Sequence, residues 1–484
     1  MNKLIMLFLF PLLSFSQQKT VSDILFANYD SYKESTLDKR RFKHDDIQPL
    51  IEKLKLDQDF TIKVLGQSIE GRDISMISIG KGKTNVLLWS QMHGDESTAT
   101  MALFDIFNYL KENKEILKNV TLHFIPMLNP DGAEVFTRRN AIGIDINRDA
   151  LRLQSPESRI LKAARDSLQA DFGFNLHDQS KYYNAERTNS PATISYLAPA
   201  YNYEKSINMV RGNAMKIIVE MNAIIQKHAP GQVGRYNDDF EPRAFGDNIQ
   251  KWGTSTILIE SGGFQNDAEK QFIRKLNFVS ILASIQSISS GSFKNTSIAG
   301  YEKIPQNDRK LFDLKITNLT FSYLGKNYLV DLGINHNEKE NKDHTDFYYI
   351  GQITEVGDLS TYYGYNTLDA SDLIFKNGQT YPKILEDYDA LEKLNFEDLL
   401  QQGYTSVALD SMPEDIIFTK YPINIVKVRD IQIIKKNIPK PPLPIGSNPN
   451  FTLSKNNVIV YAIINGFVYD VSKGTSKIKN GVIK

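Results

Sequence analysis

A histidine and a glutamate three residues apart follow a short apolar run. His93 and Glu96 come directly after residues 86–89, which have the length and composition of a buried strand, and apolar residues at helical spacing follow Glu96. The pair therefore occupies a strand-to-helix turn, where an imidazole and a carboxylate can converge at the carboxyl edge of a sheet. Histidine nitrogen and carboxylate oxygen together suit a divalent metal such as zinc, whose hydrolytic sites use three protein ligands.

A second histidine and several companion groups lie downstream, each after an apolar run or in a turn. They are Asn129-Pro130-Asp131-Gly132, Arg138, Asp145-Ile146-Asn147-Arg148, Asn175-Leu176-His177 and Ile257-Leu258-Ile259-Glu260. A single H-x-x-E motif arises readily by chance, and a histidine at a strand end is commonly a hydrogen-bonded structural residue. The ordered set is much more specific than any one of its parts.

In this order the motifs resemble those of the zinc carboxypeptidase family (carboxypeptidase A/B-like), over roughly residues 42–287. The resemblance implies an α/β domain with a mixed central sheet and helices on both faces. It also implies a mobile tyrosine over the site, for which Tyr236 is the nearest candidate, although a plain surface tyrosine is an equally good interpretation. The implied roles are zinc ligation by His93, Glu96 and His177, general-base catalysis by Glu260, carbonyl polarisation by Arg138, and binding of the substrate's terminal carboxylate by Asn147 and Arg148.

These roles imply a zinc metallocarboxypeptidase with one Zn²⁺ per chain, acting through a zinc-bound water on peptides with a free C-terminal carboxylate. Gly94-Asp95 stands where the digestive members have an arginine, and the interval from Glu96 to His177 is short. Both features resemble the branches that act on murein peptides or deacylate amino acids. A murein-peptide amidase or deacylase of the same fold therefore stays open, as does a non-catalytic secreted binding protein. No motif fixes the side-chain preference, although Asp247 could select a basic residue.

Length and charge limit the other possibilities. The chain has 484 residues, so two or more domains are expected. Its 57 basic and 57 acidic residues balance and form no long single-sign run, which gives no electrostatic footprint for nucleic acid. The chain contains no cysteine, so thiolate ligation and disulfides are excluded.

The order of segments predicts four parts. Residues 1–16 have a lysine, an apolar run and a small-residue cleavage signal, typical of a secretory signal peptide, which predicts a secreted or periplasmic protein. No later run reaches about 18 apolar residues, so we expect no transmembrane segment. The catalytic domain is predicted over 17–290, a Ser-, Gly- and Asn-rich linker over 291–308, and a smaller β-rich region over 309–484.

Overall fold

The computed structural model describes residues 20–411, 421–427, 442–474 and 480–482, so the predicted signal peptide lies outside the described residues. Residues 20–308 form an α/β unit. Its helices are α1 (Val21–Asn28), α2 (His44–Lys55), α3 (Thr98–Glu112), α4 (Pro130–Glu134), α5 (Pro156–Leu168), α6 (Met209–His228), α7 (Phe245–Lys251) and α8 (Gln271–Ser290). Its strands are β1 (Phe60–Gln67), β2 (Asp73–Gly80), β3 (Thr84–Trp89), β4 (Val120–Ile125), β5 (Phe172–Asp178), β6 (Asn184–Ala185), β7 (Ile194–Leu197), β8 (Val233–Arg235), β9 (Ser255–Ser261) and β10 (Asn307–Asp308).

Eight of these strands form one mixed sheet in the order β1-β2-β4-β3-β5-β9-β7-β8. The central strands β4, β3, β5 and β9 run parallel to one another. The pairs β1–β2, β2–β4 and β7–β9 are antiparallel. The predicted mixed α/β sheet is therefore confirmed.

Hydrophobic cores lie on both faces of the sheet. One contains apolar residues of α3, α6 and α8, and the other contains residues of α5 and α7. Successive side chains of β3 alternate between them, as strand geometry requires. Val86 and Leu88 lie in the first core. Leu87 and Trp89 lie in the second. Helices therefore cover both faces, and polar groups reach the site only at the strand ends.

The stretch predicted as a linker packs on the α/β unit. Helix α8 continues to Ser290, and Phe293, Tyr301 and Ile304 beyond it are buried. The Tyr301 hydroxyl accepts a hydrogen bond from the Ala198 amide at 2.9 Å. Strand β10 pairs with β6, which ties the end of this stretch to the loop that follows β5.

The C-terminal part is β-rich, as predicted. Its strands are β11 (Leu311–Tyr323), β12 (Lys326–Glu340), β13 (Phe347–Gly357), β14 (Tyr363–Asp369), β15 (Ile374–Asn377), β16 (Gln379–Leu385), β17 (Tyr404–Leu409), β18 (Asn424–Lys427), β19 (Asn450–Lys455), β20 (Val458–Ile464) and β21 (Phe467–Asp470). Most of them form a second eight-stranded sheet, β13-β12-β11-β15-β19-β20-β21, with β14 paired to β11. Strands β16, β17 and β18 form a separate parallel sheet, accompanied by the short helices α9 (Tyr388–Glu392) and α10 (Phe396–Gln401).

Charged groups join the two units. Arg40 donates to Glu338 at 2.7 Å, and Arg41 contacts both Glu338 and Glu340. Both arginines are largely buried, so these ion pairs are partly shielded from water. In the part of the chain that the structure describes, no helix is both long and apolar enough to cross a bilayer.

Candidate metal and active site

Three side chains predicted as metal ligands converge at the carboxyl edge of the central sheet. The ligand atoms of His93, Glu96 and His177 all lie within 4.8 Å of one another, and all three residues are buried. One carboxylate oxygen of Glu96 lies 2.8 Å from His93 Nδ1. The other lies 2.6 Å from His177 Nδ1. Glu96 thus bridges two imidazoles that come from different strand ends.

Tight backbone packing shapes the turn that carries His93 and Glu96. A Cβ on Gly94 would lie 2.0 Å from the carbonyl carbon of Gly132, so only glycine fits there. Gly132 belongs to the Asn-Pro-Asp-Gly turn, in which Asn129 Oδ1 accepts the Gly132 amide at 3.0 Å. Asp131 fixes this turn by accepting the Ser68 hydroxyl at 2.7 Å. This close approach gives a steric reason for glycine at position 94.

Asp145 positions the first histidine. The Nε2 of His93 donates to Asp145 Oδ1 at 3.2 Å, which leaves Nδ1 facing Glu96. Carboxylates that accept the outer N–H of a metal-ligating histidine fix its tautomer and orientation. Burial acts to lower the pKa of His93, but the Glu96 charge and the Asp145 hydrogen bond outweigh it and raise the pKa to about 9.

Arg138 lies against this cluster. Its Nε donates to Asp145 Oδ2 at 3.0 Å, and its Nη1 lies 3.1 Å from His93 Nδ1 and 3.4 Å from Glu96 Oε1. The side chain is 41% exposed, so the guanidinium is open to the solvent side of the site. The structure therefore brings Arg138 to the predicted metal ligands.

Sheet register brings Glu260 beside the second histidine. His177 on β5 and Glu260 on β9 are directly paired residues of parallel strands, so their side chains leave the same face. Burial raises the pKa of Glu260 well above its usual range, and the nearby Glu96 charge raises it further. Within the part of the chain that the structure describes, its carboxylate makes no hydrogen bond or ion pair. Such a carboxylate is able to accept a proton from a ligand.

Tyr236 lies near Glu260 and shares a hydrogen bond with Tyr183. The centroids of the two rings are 5.9 Å apart. Burial raises the pKa of Tyr236, and the Glu260 charge and the bond to Tyr183 raise it further. The Tyr236 amide also donates to the carbonyl of Tyr196 on β7, which fixes the backbone here. The structure thus places Tyr236 near Glu260, and it places Tyr183 next to Tyr236.

Asn147 and Arg148 lie on a short 3₁₀ turn next to Asp145. Asn147 Oδ1 accepts the Phe245 amide at 2.9 Å, so this side chain anchors the start of α7. Arg148 is exposed, and its Nε lies 3.5 Å from Glu241 Oε2. Arg243 binds the same carboxylate, with its Nε and Nη2 donating at 3.0 and 2.9 Å. The guanidinium of Arg148 thus pairs with Glu241 and not with the predicted metal ligands.

Asp247 lies in the first turn of α7. Its carboxylate accepts the Glu241 amide at 3.0 Å, which ties the loop before the helix to the helix itself. Burial raises the pKa of Asp247 to about 7. Asp247 therefore anchors the loop before α7, and it also lies near Arg148.

Sequence reasoning did not assign roles to Asp145, Glu241 or Tyr183. Asp145 lies within a quoted motif, and its position two residues before Asn147 marks a capped turn, so a signal was present. Glu241 and Tyr183 lie in long connections without a motif. Their partners are distant in sequence, and only the folded chain brings them together.

The donor set suits zinc. Two imidazole nitrogens and one carboxylate are the ligands of hydrolytic zinc sites, and the Asp145 contact supplies the outer partner that such histidines need. The Nε2 of His177 is buried without a partner among the described residues. The residues therefore fit one zinc ion.

Several known proteins with similar sequences are carboxypeptidases. Carboxypeptidase SOL1 of Arabidopsis thaliana is 26% identical over 223 residues, which cover 37% of this chain and 44% of the plant protein. Carboxypeptidase E of Caenorhabditis elegans is 30% identical over 122 residues, covering 20% of this chain and 26% of the worm protein. This chain thus spans less than half the length of these curated relatives.

A metallo-carboxypeptidase structure from Burkholderia cenocepacia is 18% identical, with a TM-score of 0.43, over 52% of this chain and 70% of that chain. The carboxypeptidase A of Helicoverpa armigera is 16% identical, with a TM-score of 0.43, over 56% and 80% of the two chains. Residues 49–233 match the family model described as zinc carboxypeptidase. The match covers the turn of His93 and Glu96 and the strand of His177. This chain therefore carries a domain of the zinc carboxypeptidase family.

Proposed function

We propose that this protein is a zinc metallocarboxypeptidase that removes the C-terminal residue of peptides. The observation that carries the proposal is the convergence of His93, Glu96 and His177, with Glu260 in register beside His177. A carboxylate that has no partner among the described residues, next to a metal-ligand set that fits zinc, is an arrangement that suits metal-assisted hydrolysis.

Glu260 acts as the general base in this proposal. When zinc is bound by His93, Glu96 and His177, it supplies a Lewis acid that polarises a carbonyl and lowers the pKa of water. Glu260 takes the proton of the attacking water and passes it to the leaving amine. Its raised pKa supports this, because a base works best when its pKa approaches the working pH.

Arg138 stabilises the negative charge that develops on the carbonyl oxygen. Its ion pairs with Asp145 and Glu96 hold the guanidinium at the cluster before substrate binds. A donor fixed in advance contributes most when its partner gains charge only in the transition state. Arg139, the neighbouring arginine, points away and donates to the Gly143 carbonyl.

Asn147 and Arg148 bind the terminal carboxylate of the substrate. A guanidinium offers two parallel N–H groups that match a carboxylate. Arg148 is exposed, and its contact with the carboxylate of Glu241 supports a role in carboxylate binding. Binding the chain end here places the last peptide bond at the catalytic groups, so the protein acts as an exopeptidase.

The proposal is tested by comparing peptides that differ only at the C-terminus. We expect the purified protein to release the last residue from a free-acid peptide, as followed by mass spectrometry, and to act poorly on the same peptide with an amidated end. Arg148→Ala should lower kcat/KM for the free acid by roughly ten- to several-hundred-fold, since a charge-assisted hydrogen bond contributes about 1.5–3 kcal/mol. The variant should lose little further activity on the amidated peptide. Equal losses on both peptides would contradict an exopeptidase.

One observation favours a second candidate, a murein-peptide amidase or deacylase. Glu241 neutralises part of the Arg148 charge, which weakens its attraction for a free carboxylate. An amidase does not need that attraction. Full-rate cleavage of amidated peptides by the wild type would favour the amidase.

We also propose that the protein is secreted or periplasmic, with cleavage after Ser16. The composition of residues 1–16 supports this. Mass spectrometry of protein recovered from outside the cytoplasm should find a chain beginning at Gln17, and an intact N-terminus there would contradict the proposal.

A further inference from the structure

A cavity of about 720 Å³ lies between the α/β unit and the C-terminal β-rich unit. Residues 179–182 and 262–268 line it on one side. Strands of the second unit line the other side, including the side chains of Asp313, His336, Tyr349, Tyr365 and Phe467. Ligand sites commonly have volumes of roughly 300–1,000 Å³ and occur preferentially at domain interfaces.

The cavity begins close to the candidate active site. Gln179 follows His177 by two residues, and Gly262 follows Glu260 by two residues. Because a chain spans at most about 3.6 Å per residue, the Cα atoms in each pair lie within roughly 7 Å. Gln179 also donates to the hydroxyl of Ser195, the residue that pairs with Glu260 across the sheet. The cavity and the catalytic groups therefore share one sheet edge.

Each acidic or basic side chain that lines the cavity has an ion-pair or hydrogen-bond partner. An uncompensated charge placed there would lose water without gaining a partner, which is unfavourable. The ion pairs are Lys181 with Asp313 at 2.8 Å, Arg40 with Glu338 at 2.7 Å and Lys270 with Asp178 at 3.0 Å, while Asp267 accepts the amides of Gln271 and Phe272 at the start of α8. The lining therefore selects against a charged ligand.

Aromatic rings and amide groups provide the remaining contacts. Tyr349, Tyr365 and Phe467 are partly exposed and offer apolar surface. The exposed side chains of Asn337 and Asn366 supply hydrogen-bond donors and acceptors, which are the groups that an extended peptide backbone needs. This combination fits an uncharged peptide with apolar or aromatic side chains.

We propose that this cavity binds the part of a peptide substrate upstream of the scissile bond, and that this part is uncharged and carries apolar or aromatic side chains. The inference rests on the proposed function and adds a substrate class to it. The C-terminal β-rich unit then forms one wall of the substrate site. An extended peptide advances about 3.3 Å per residue, so a peptide of several residues can reach from the scissile bond into the cavity.

The test fills the cavity from an exposed position. Asn366→Trp on β14 adds a bulky side chain at the rim, where the fold can accommodate it. The substrates are an N-acetylated dipeptide and an N-acetylated hexapeptide that end in the same two residues and are otherwise uncharged. We expect the ratio of KM for the hexapeptide to KM for the dipeptide to rise roughly tenfold in the variant. Asn377→Trp, at an exposed asparagine on β15 that does not line the cavity, should leave this ratio as in the wild type.

A second comparison uses the wild type alone. Replacing the upstream residues of the hexapeptide by lysine or by glutamate should raise KM in both cases. An unchanged ratio in Asn366→Trp, or tighter binding of either charged hexapeptide, would overturn the inference. Direct titration of the hexapeptide onto Glu260→Gln, with and without Asn366→Trp, measures binding without turnover. If the wild type cleaves neither peptide, the proposed function fails, and this titration alone decides whether the cavity binds peptide.

Discussion

Glu96 and Glu260 both lie at the carboxyl edge of the central sheet, but their surroundings shift the pKa values of their carboxyl groups in opposite directions. Burial opposes ionisation of Glu96, but the His93 and His177 charges outweigh it and lower its pKa. Glu260 is half-buried and has no such partners among the described residues, and desolvation raises its pKa. When two nearby carboxyl groups have environments that shift their pKa values in opposite directions, the two groups commonly have separate chemical roles. Here they match a ligand and a base.

Glu260→Gln should keep the fold and the metal but lower kcat by roughly 10²–10⁴-fold, because the amide cannot accept the proton. Circular dichroism and metal analysis would verify the fold and the ligand set. Glu204→Gln, at an exposed glutamate away from the site, is the matched control and should keep wild-type kcat. Substantial residual turnover in Glu260→Gln would assign the base to another group.

Asp247 gives a pH-dependent contribution to stability. Its pKa is about 7 in the folded protein and 3.8 for the ordinary carboxyl, so the folded state binds the proton more tightly. The stabilisation is full below about pH 4 and is lost as the pH rises towards 7. Asp247→Asn stays neutral and can still accept the Glu241 amide. Its Tm relative to wild type should therefore be higher at pH 8 than at pH 4. An identical difference at both pH values would contradict this.

At the scale of elements, periodicity predicted the parts of the fold that bury an apolar face. The strand before His93 and the strand that delivers His177 are present, and the amphipathic pattern of residues 207–228 corresponds to α6. Residues 231–253 are rich in Gly, Asp and aromatic residues, a composition typical of a loop, yet they contain β8 and α7. Both elements are short, and α7 includes Gly246 in its first turn, so neither has enough residues for a periodic signal.

The candidate site was predictable to the extent that its residues lie at strand ends. His93, Glu96, His177 and Glu260 follow apolar runs, and parallel neighbours bring such ends together. The contact of Arg148 with Glu241 was not predictable, because no local pattern links residues so far apart. The same holds for the Tyr183–Tyr236 pair. Such contacts depend on how the long connections fold back on the sheet.

Because residues 291–308 pack on the α/β unit, we predict that this unit ends near Asp308 and not at Ser290. A chain ending at Ser290 loses buried Phe293, Tyr301 and Ile304, whereas a chain ending at Asp308 keeps them. Fully burying one large apolar side chain contributes about 1.5–3 kcal/mol. The chain ending at Asp308 should therefore have the higher Tm by calorimetry. Equal Tm values for the two chains would show that residues 291–308 act only as a connection.

At the scale of the whole molecule, ion pairs join the two units, and a cavity lies between them beside the candidate site. Arg40 and Arg41 reach from the α/β unit to Glu338 and Glu340 of the second unit. The contacts at Lys181 and Tyr182 to Asp313 start only four residues beyond His177. The C-terminal unit is therefore attached near the strands that carry His177 and Glu260.

The measurement that tests the central claim most directly is zinc titration of the metal-free protein, followed by release of the C-terminal residue from a free-acid peptide. Activity should rise linearly and level off at about one zinc per chain, because the described residues contain one such set of three ligands. His177→Ala should neither retain zinc nor recover activity, whereas His123→Ala, at a histidine on β4 that contacts Ser78 and Asn85, should do both. Full peptide hydrolysis by the metal-free wild type would contradict the account.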